Sequence, residues 1–232
     1  MFLAAIIMFS RFISIILRPF AGIIRYGALK AMKRFQRPDD RRPIIATSDH
    51  LLNEIILPSV FRAFREDKFR ELAKFEKLPV VEHDRIFNEL EVAGICLAVF
   101  YLRSAKYLAR PEDYHFWQRT EEHLPKQLQK ILTGYGASGS NAKLIRELID
   151  MRREEYEKIA EKVWEASDNL NPEFRDWTPE MKHFAVRIQA IAVGTTDHIR
   201  RGKIKEDDLL IKHLAGWLMT LYIKIKKFVE RL

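Results

Sequence analysis

The chain is short of cysteine, glycine and proline, with one, nine and nine in 232 residues. A single thiol, Cys96, can form no intrachain disulfide and no cysteine-ligated metal site. It lies in the apolar run 92–102, where no basic neighbour lowers a thiol pKa, so a small buried hydrophobe is expected there. Scarce glycine and proline, with little Val/Thr/Ile alternation, argue against sheet and turn-rich folds. Composition is globular, with 47% apolar and 31% charged residues, which excludes a disordered chain. No G-x-S-x-G, H-E-x-x-H or Gly-Lys-Ser/Thr sequence occurs, so the motifs of serine hydrolases, zincins and P-loop proteins are missing. No solenoid period is present either.

Acidic residues are missing from one region in particular. None occurs before Asp39, and residues 1–42 hold nine basic side chains against two acidic ones, a net +7. The other 190 residues hold 31 basic and 30 acidic side chains, a net +1. The sequence pI of about 9.5 therefore belongs to an N-terminal arm. A nucleic-acid-binding body would carry its own basic excess, so that reading ranks lowest.

The arm reads as a helix with two faces. At about 100° per residue, Arg11, Arg18 and Arg25 drift only about 20° per seven-residue step and share a stripe. Ser14 and Gly22 flank that stripe, and Lys30, Lys33 and Arg34 follow it. Phe2, Phe9, Ile13, Ile16 and Phe20 face the other way. Pro19 kinks the helix. An amphipathic helix of this kind lies in a membrane interface, its Phe/Ile face in the acyl boundary and its basic face on anionic headgroups. A span of residues 2–24 is the second reading, with Arg11 costing about 2.5–3.5 kcal/mol near mid-bilayer. A cleaved targeting peptide, which would make the protein mitochondrial, and a helix docked into a partner protein are the remaining two.

Residues 36–46 carry two prolines and five charges and read as a linker. Helix signals then follow one another. Thr47, Ser48 and Asp49 offer an N-cap before Leu51 and Leu52. Pro58 starts or kinks a helix whose stripe is Val60, Phe61, Phe64, Phe69, Leu72 and Phe75. Residues 82–109 form a long helix, apolar all round over 92–102 and hence central. A helix starts at Pro111 and is bent or divided by Pro125. The loop 134–140 precedes a helix capped by Ser140 or Asn141. Thr178-Pro179-Glu180 begins the next helix, and a last one covers 207–231. In that last helix Trp217, Leu218, Leu221, Tyr222, Ile225 and Phe228 share a face, read as core before partner surface.

One pattern occurs twice. Residues 111–116 and 179–184 both read P-E-x-x-H-F. Glu112 with His115, and Glu180 with His183, each lie three apart on one helix face. Two such pairs plus a Glu from each of two other helices make the di-iron site of ferritin-like bundles. Glu82, Glu89 or Glu91 could supply one extra ligand, and Glu147, Glu154 or Glu157 the other. Ordinary helix-start chemistry accounts for the same residues more simply, because an acid beside Pro at N1 meets the helix dipole. No metal or other cofactor is predicted. His50, His83, His123, His198 and His213 share no spacing and are expected at surface or capping positions. The basic run 199–205 is read as a helix C-terminus, where cations complement the dipole.

The sequence thus predicts an all-α protein. It has a membrane arm at 1–35, a linker at 36–46 and a bundle of six or seven helices at 47–232. The expected function is a membrane-associated adaptor, assembly factor or accessory subunit without catalytic activity, held to anionic lipid, with a protein partner or a second copy of itself. The alternatives are a carboxylate-bridged metal enzyme and, last, a nucleic-acid binder. Basic residues after the apolar segment place the body on the cytoplasmic side.

Overall fold

The computed structural model describes residues 44–108, 111–170, 178–205 and 207–232, and every regular element among them is helical. The elements are α1 (Ile44–His50), a π-helical segment (Leu51–Ile56), α2 (Leu57–Arg65), α3 (Asp67–Ala73), α4 (Val80–Leu108), α5 (Tyr114–Gly134), α6 (Gly139–Leu170), α7 (Pro179–Ile199) and α8 (Leu209–Val229). Short 3-10 turns occupy Phe75–Lys77 and Pro111–Asp113. The first three elements run on without a break, so seven helical bodies pack together, as predicted for a bundle.

The apolar run 92–102 makes α4 the axis of the bundle. All of its residues are buried, and α4 packs against α2, α5, α6, α7 and α8. Burying a Leu, Ile or Phe side chain contributes roughly 1.5–3 kcal/mol, so this helix is a large contributor to the stability of the bundle. Cys96 lies there fully buried, its Sγ 3.8 Å from the Ile149 carbonyl. Burial pushes its thiol pKa up, as expected for an inert residue. The second apolar helix, α7, approaches α6 closely at Gly194. A Cβ there would stand 2.5 Å from the Tyr156 ring.

Several local expectations need correction. Thr47 and Ser48 are not N-caps: they are buried within α1, and residues 44–46, assigned to the linker, are helical. Pro58 falls in the first turn of α2, directly after the π segment, in which the Leu57 N–H donates to the Leu52 carbonyl. A proline ring crowds the carbonyl four residues back, and the wider π turn gives it room. The single helix expected through Phe75 is broken at Glu66, which is extended at φ −68°, ψ 124°. The break buries Phe69 and Phe75 and leaves Phe61 half exposed. Ser138, not Ser140 or Asn141, caps α6, its Oγ accepting from the Asn141 N–H. Pro125 divides nothing: α5 runs through it unbroken. Thr178 caps α7 as predicted, accepting from the Met181 N–H. Asp208 caps α8 in the same way through the Leu210 N–H.

Candidate functional site

The residues assigned to the membrane, Phe2, Phe9, Arg11, Ile13, Ile16, Arg18, Phe20, Arg25, Lys30, Lys33 and Arg34, all precede Ile44 and lie outside the described residues. Among the described helices none is long and apolar enough to cross a membrane.

The two P-E-x-x-H-F segments have different local structures. The first begins in the 3-10 turn Pro111–Asp113, and His115 is exposed in the first turn of α5. The second begins α7, where Glu180 and His183 are also exposed. His183 stacks on Trp164 of α6 with ring centroids 4.4 Å apart. Burial against that ring and the charge of Arg187 hold its imidazole pKa below the ordinary range, opposed by Glu180. Among the described residues, no three His, Cys, Asp or Glu side chains gather as metal ligands. Most carboxylates named as extra ligands meet cations. Glu82 pairs with Arg85 and Arg201, Glu89 with Arg152, Glu147 with Lys143, and Glu157 with Arg103. Glu91 is buried and, among the described residues, meets no cation.

The structure instead brings together two seams of arginine and glutamate, at either end of α4. At the first, Arg152 of α6 grips Glu89 through two hydrogen bonds of 2.8 and 3.1 Å and reaches Glu155 at 3.3 Å. Glu155 meets His198 at the end of α7, 2.8 Å away. Its carboxyl is held below the ordinary range against its burial by His198 and Arg152. Arg85 donates to the carbonyls of His198 and Ile199, satisfying the last turn of α7. Glu82 sits between Arg201 and Arg85, which depress its carboxyl pKa. At the second seam Arg103 joins Glu121 of α5, at 2.8 Å, to Glu157 of α6. Nearby, Arg187 of α7 lies over the Phe100 ring and donates to Ser104 Oγ at 3.0 Å. Among the described residues its guanidinium forms no ion pair, and burial and the Arg103 charge lower its pKa against the attraction of Glu157.

Of the histidines expected at surface or capping positions, His50 is exposed, while His83, His123, His198 and His213 are half-buried in contacts between elements. His198 joins α6 to α7. His83 stacks on Phe75 at 4.5 Å, and His50 on Phe228 at 4.4 Å. The stripe on α8 is core as read: Leu218, Leu221, Tyr222 and Ile225 are buried, and Trp217 Nε1 donates to Ser59 Oγ at 3.1 Å.

Grooves open on the surface among the described residues, and two of them matter here. One, of about 340 Å³, lies between α6 and α7, lined by Glu157, Glu161, Trp164, Glu165, His183 and Arg187 among others. The other, about 390 Å³, lies where the described chain begins, between Ile44, Ile45 and the Arg119, Glu122, His123 and Lys126 side chains of α5. Sequence reasoning missed both, since each is made by helices far apart in the chain. The only trace of the second is the spacing of Arg119, Lys126 and Lys130 on one face of α5. No protein family matches the chain, and neither a curated protein nor a solved structure is similar to it.

Proposed function

We propose that the protein is a membrane-associated adaptor, assembly factor or accessory subunit. Its N-terminal arm attaches to anionic lipid and its helical body stays on the cytoplasmic side. The observation that carries this reading is the division of charge, +7 in residues 1–42 against +1 in the other 190. The basic stripe opposite the Phe/Ile face accompanies it, because such a face partitions into the acyl boundary while the stripe meets headgroups. The polar side chains of the body support a role in holding and presenting rather than reacting, since its half-buried arginines pair with glutamates and tie helix to helix. A partner surface is at hand on α6. Leu144 and Met151 are 59% and 58% exposed, with Leu148 half-buried between them at helical spacing.

Vesicle co-sedimentation tests the reading. The full chain should bind vesicles containing phosphatidylserine, and a chain beginning at Ile44, which keeps α1 intact, should not. Carbonate then separates the two forms of attachment: a lying arm is released and a spanning arm is retained. A full chain that ignores anionic vesicles, and keeps its cell fraction when residues 2–35 are removed, would end the membrane reading.

A further inference from the structure

We infer that the exposed face of α5 is a second, electrostatic membrane contact that binds anionic phospholipid headgroups beside the point where the arm joins the body. The inference rests on the membrane reading above and specifies which side of the body faces the lipid.

The face is built at helical spacing. His115, Arg119, Glu122, Lys126 and Lys130 follow one another at steps of four, three, four and four and are all exposed. At about 100° per residue they fall within an arc of roughly 80°. At 1.5 Å per residue they extend over about 22 Å. Among the described residues Arg119, Lys126 and Lys130 form no ion pair, unlike Arg85, Arg103, Arg152, Arg200 and Arg201, which are all engaged in ion pairs. The one acid on the face, Glu122, is turned to Gln118 at 3.3 Å. The face therefore keeps a net positive charge in the form of basic side chains that are free to meet phosphate.

Its position gives the face its partner. Ile44 and Ile45 line one groove with Arg119 and Lys126, and α1 packs against α5. The chain thus enters the body against this face, with Ile45 49% exposed beside it. Residues 36–43 lie between the arm and Ile44, and eight residues reach at most about 28 Å. Arg37, Arg41 and Arg42 lie within that tether. An arm held at the membrane keeps α5 close to it, so contact by this face is an intramolecular event at high effective concentration. Basic side chains within a Debye length, about 8–10 Å, then gain from the anionic surface.

The test uses the full chain and vesicles of phosphatidylcholine with and without phosphatidylserine. Arg119→Glu with Lys126→Glu reverses the α5 face. Lys158→Glu with Lys162→Glu makes the same change of net charge on exposed positions of α6. All four side chains are exposed, and matching thermal unfolding confirms that each variant folds. The charge-neutral pair Arg119→Gln and Lys126→Gln serves as a milder second variant. The α5 reversal should weaken partitioning onto phosphatidylserine vesicles by about tenfold or more. The neutral pair should weaken it by several-fold and the α6 reversal by no more than about twofold. Equal loss from both reversals would overturn the inference, because net charge alone would then explain it. Unchanged binding by the α5 variants while the native chain binds would also overturn it and leave the arm as the whole anchor. A native chain that fails to bind at all removes the membrane reading first, and this inference with it. Loss of salt-sensitive duplex DNA binding, with vesicle binding untouched, would reassign the face to a nucleic-acid backbone.

Discussion

Opposite sides of α4 treat the same side chain in opposite ways. Glu89 and Glu91 are two residues apart, so their side chains leave the helix on different faces. Both are 4% exposed. On the side turned to α6, Glu89 receives two hydrogen bonds from Arg152 and is compensated in place. On the other side, Glu91 has neither hydrogen bond nor ion pair among the described residues, and burial alone pushes its carboxyl pKa up to about 7. A buried carboxylate is tolerated in two ways, by a cation brought from another helix or by keeping its proton. Within one turn α4 has the first at Glu89, and at Glu91 a carboxyl whose burial favours the second.

Breaking the partnered side should have the largest effect. Arg152→Met leaves Glu89 buried without its cation, at a cost of about 3–5 kcal/mol. Denaturant unfolding measures that loss, and adding Glu89→Gln should recover most of it. The single variant should also acquire a stability that falls as pH rises, because Glu89 would then resemble Glu91. If the double variant is as unstable as the single one, packing by Arg152, and not its charge, holds the seam.

The unpartnered side predicts the reverse sign. A carboxyl whose pKa is higher in the folded protein than in the unfolded chain binds more protons when folded. Its contribution is complete below the ordinary value of 4.5 and is lost as pH rises toward about 7. Glu91→Gln removes that loss. The variant should be more stable than the native chain by up to roughly 3 kcal/mol near pH 8 and little different near pH 4. A stability difference that does not change with pH would mean that the Glu91 carboxyl has the same pKa in the folded protein as in the unfolded chain.

The contrast between these two glutamates was not legible in the sequence, although much of the framework around them was. The apolar run 92–102 marked α4 as central because no face of it was polar. Thr178 and Pro179 marked a helix start because cap chemistry is local. The stripe at Leu218, Leu221, Tyr222 and Ile225 marked a buried face of α8 by period alone. The partner of Glu89 is 63 residues away and that of Glu82, Arg201, is 119 away, and no local pattern announces such pairs. The break at Glu66 was equally hidden, since it reflects how Phe69 and Phe75 are buried among other helices, and nothing in the letters before Pro58 announces the wider π turn that gives its ring room. The repeated P-E-x-x-H-F showed the opposite failure: identical letters lead into a 3-10 turn in one place and an α-helix in the other.

The contact between α6 and α7 that carries the seam can be loosened without touching a charge. Tyr156 lies one turn beyond Arg152, fully buried and sharing a hydrogen bond of 3.1 Å with Thr195. Gly194→Ala places a methyl against that fixed ring and should destabilise by about 1–3 kcal/mol. Gly216 in α8 has open space where a Cβ would go, so Gly216→Ala should stabilise by about 0.5–1 kcal/mol through helix propensity. Opposite shifts in Tm would separate close packing from glycine's backbone freedom as the reason for each glycine.

The smallest effect gives the comparison its baseline. Lys68 and Glu71 of α3 form an ion pair of 2.9 Å with side chains 55% and 69% exposed. The distance is close to that between Arg152 and Glu89, 2.8 Å, whose side chains are 15% and 5% exposed. If distance set the strength of an ion pair, double-mutant cycles on the two should give similar coupling. If burial sets it, Lys68 and Glu71 should couple by less than about 0.5 kcal/mol, because water screens both charges and two long side chains lose freedom. Arg152 and Glu89 should couple several-fold more strongly, since removing either partner strands the other away from water. Equal coupling would show that Glu89 gains no more from Arg152 than a surface glutamate gains from lysine. The difference between Glu89 and Glu91 would then have to come from the apolar groups around them.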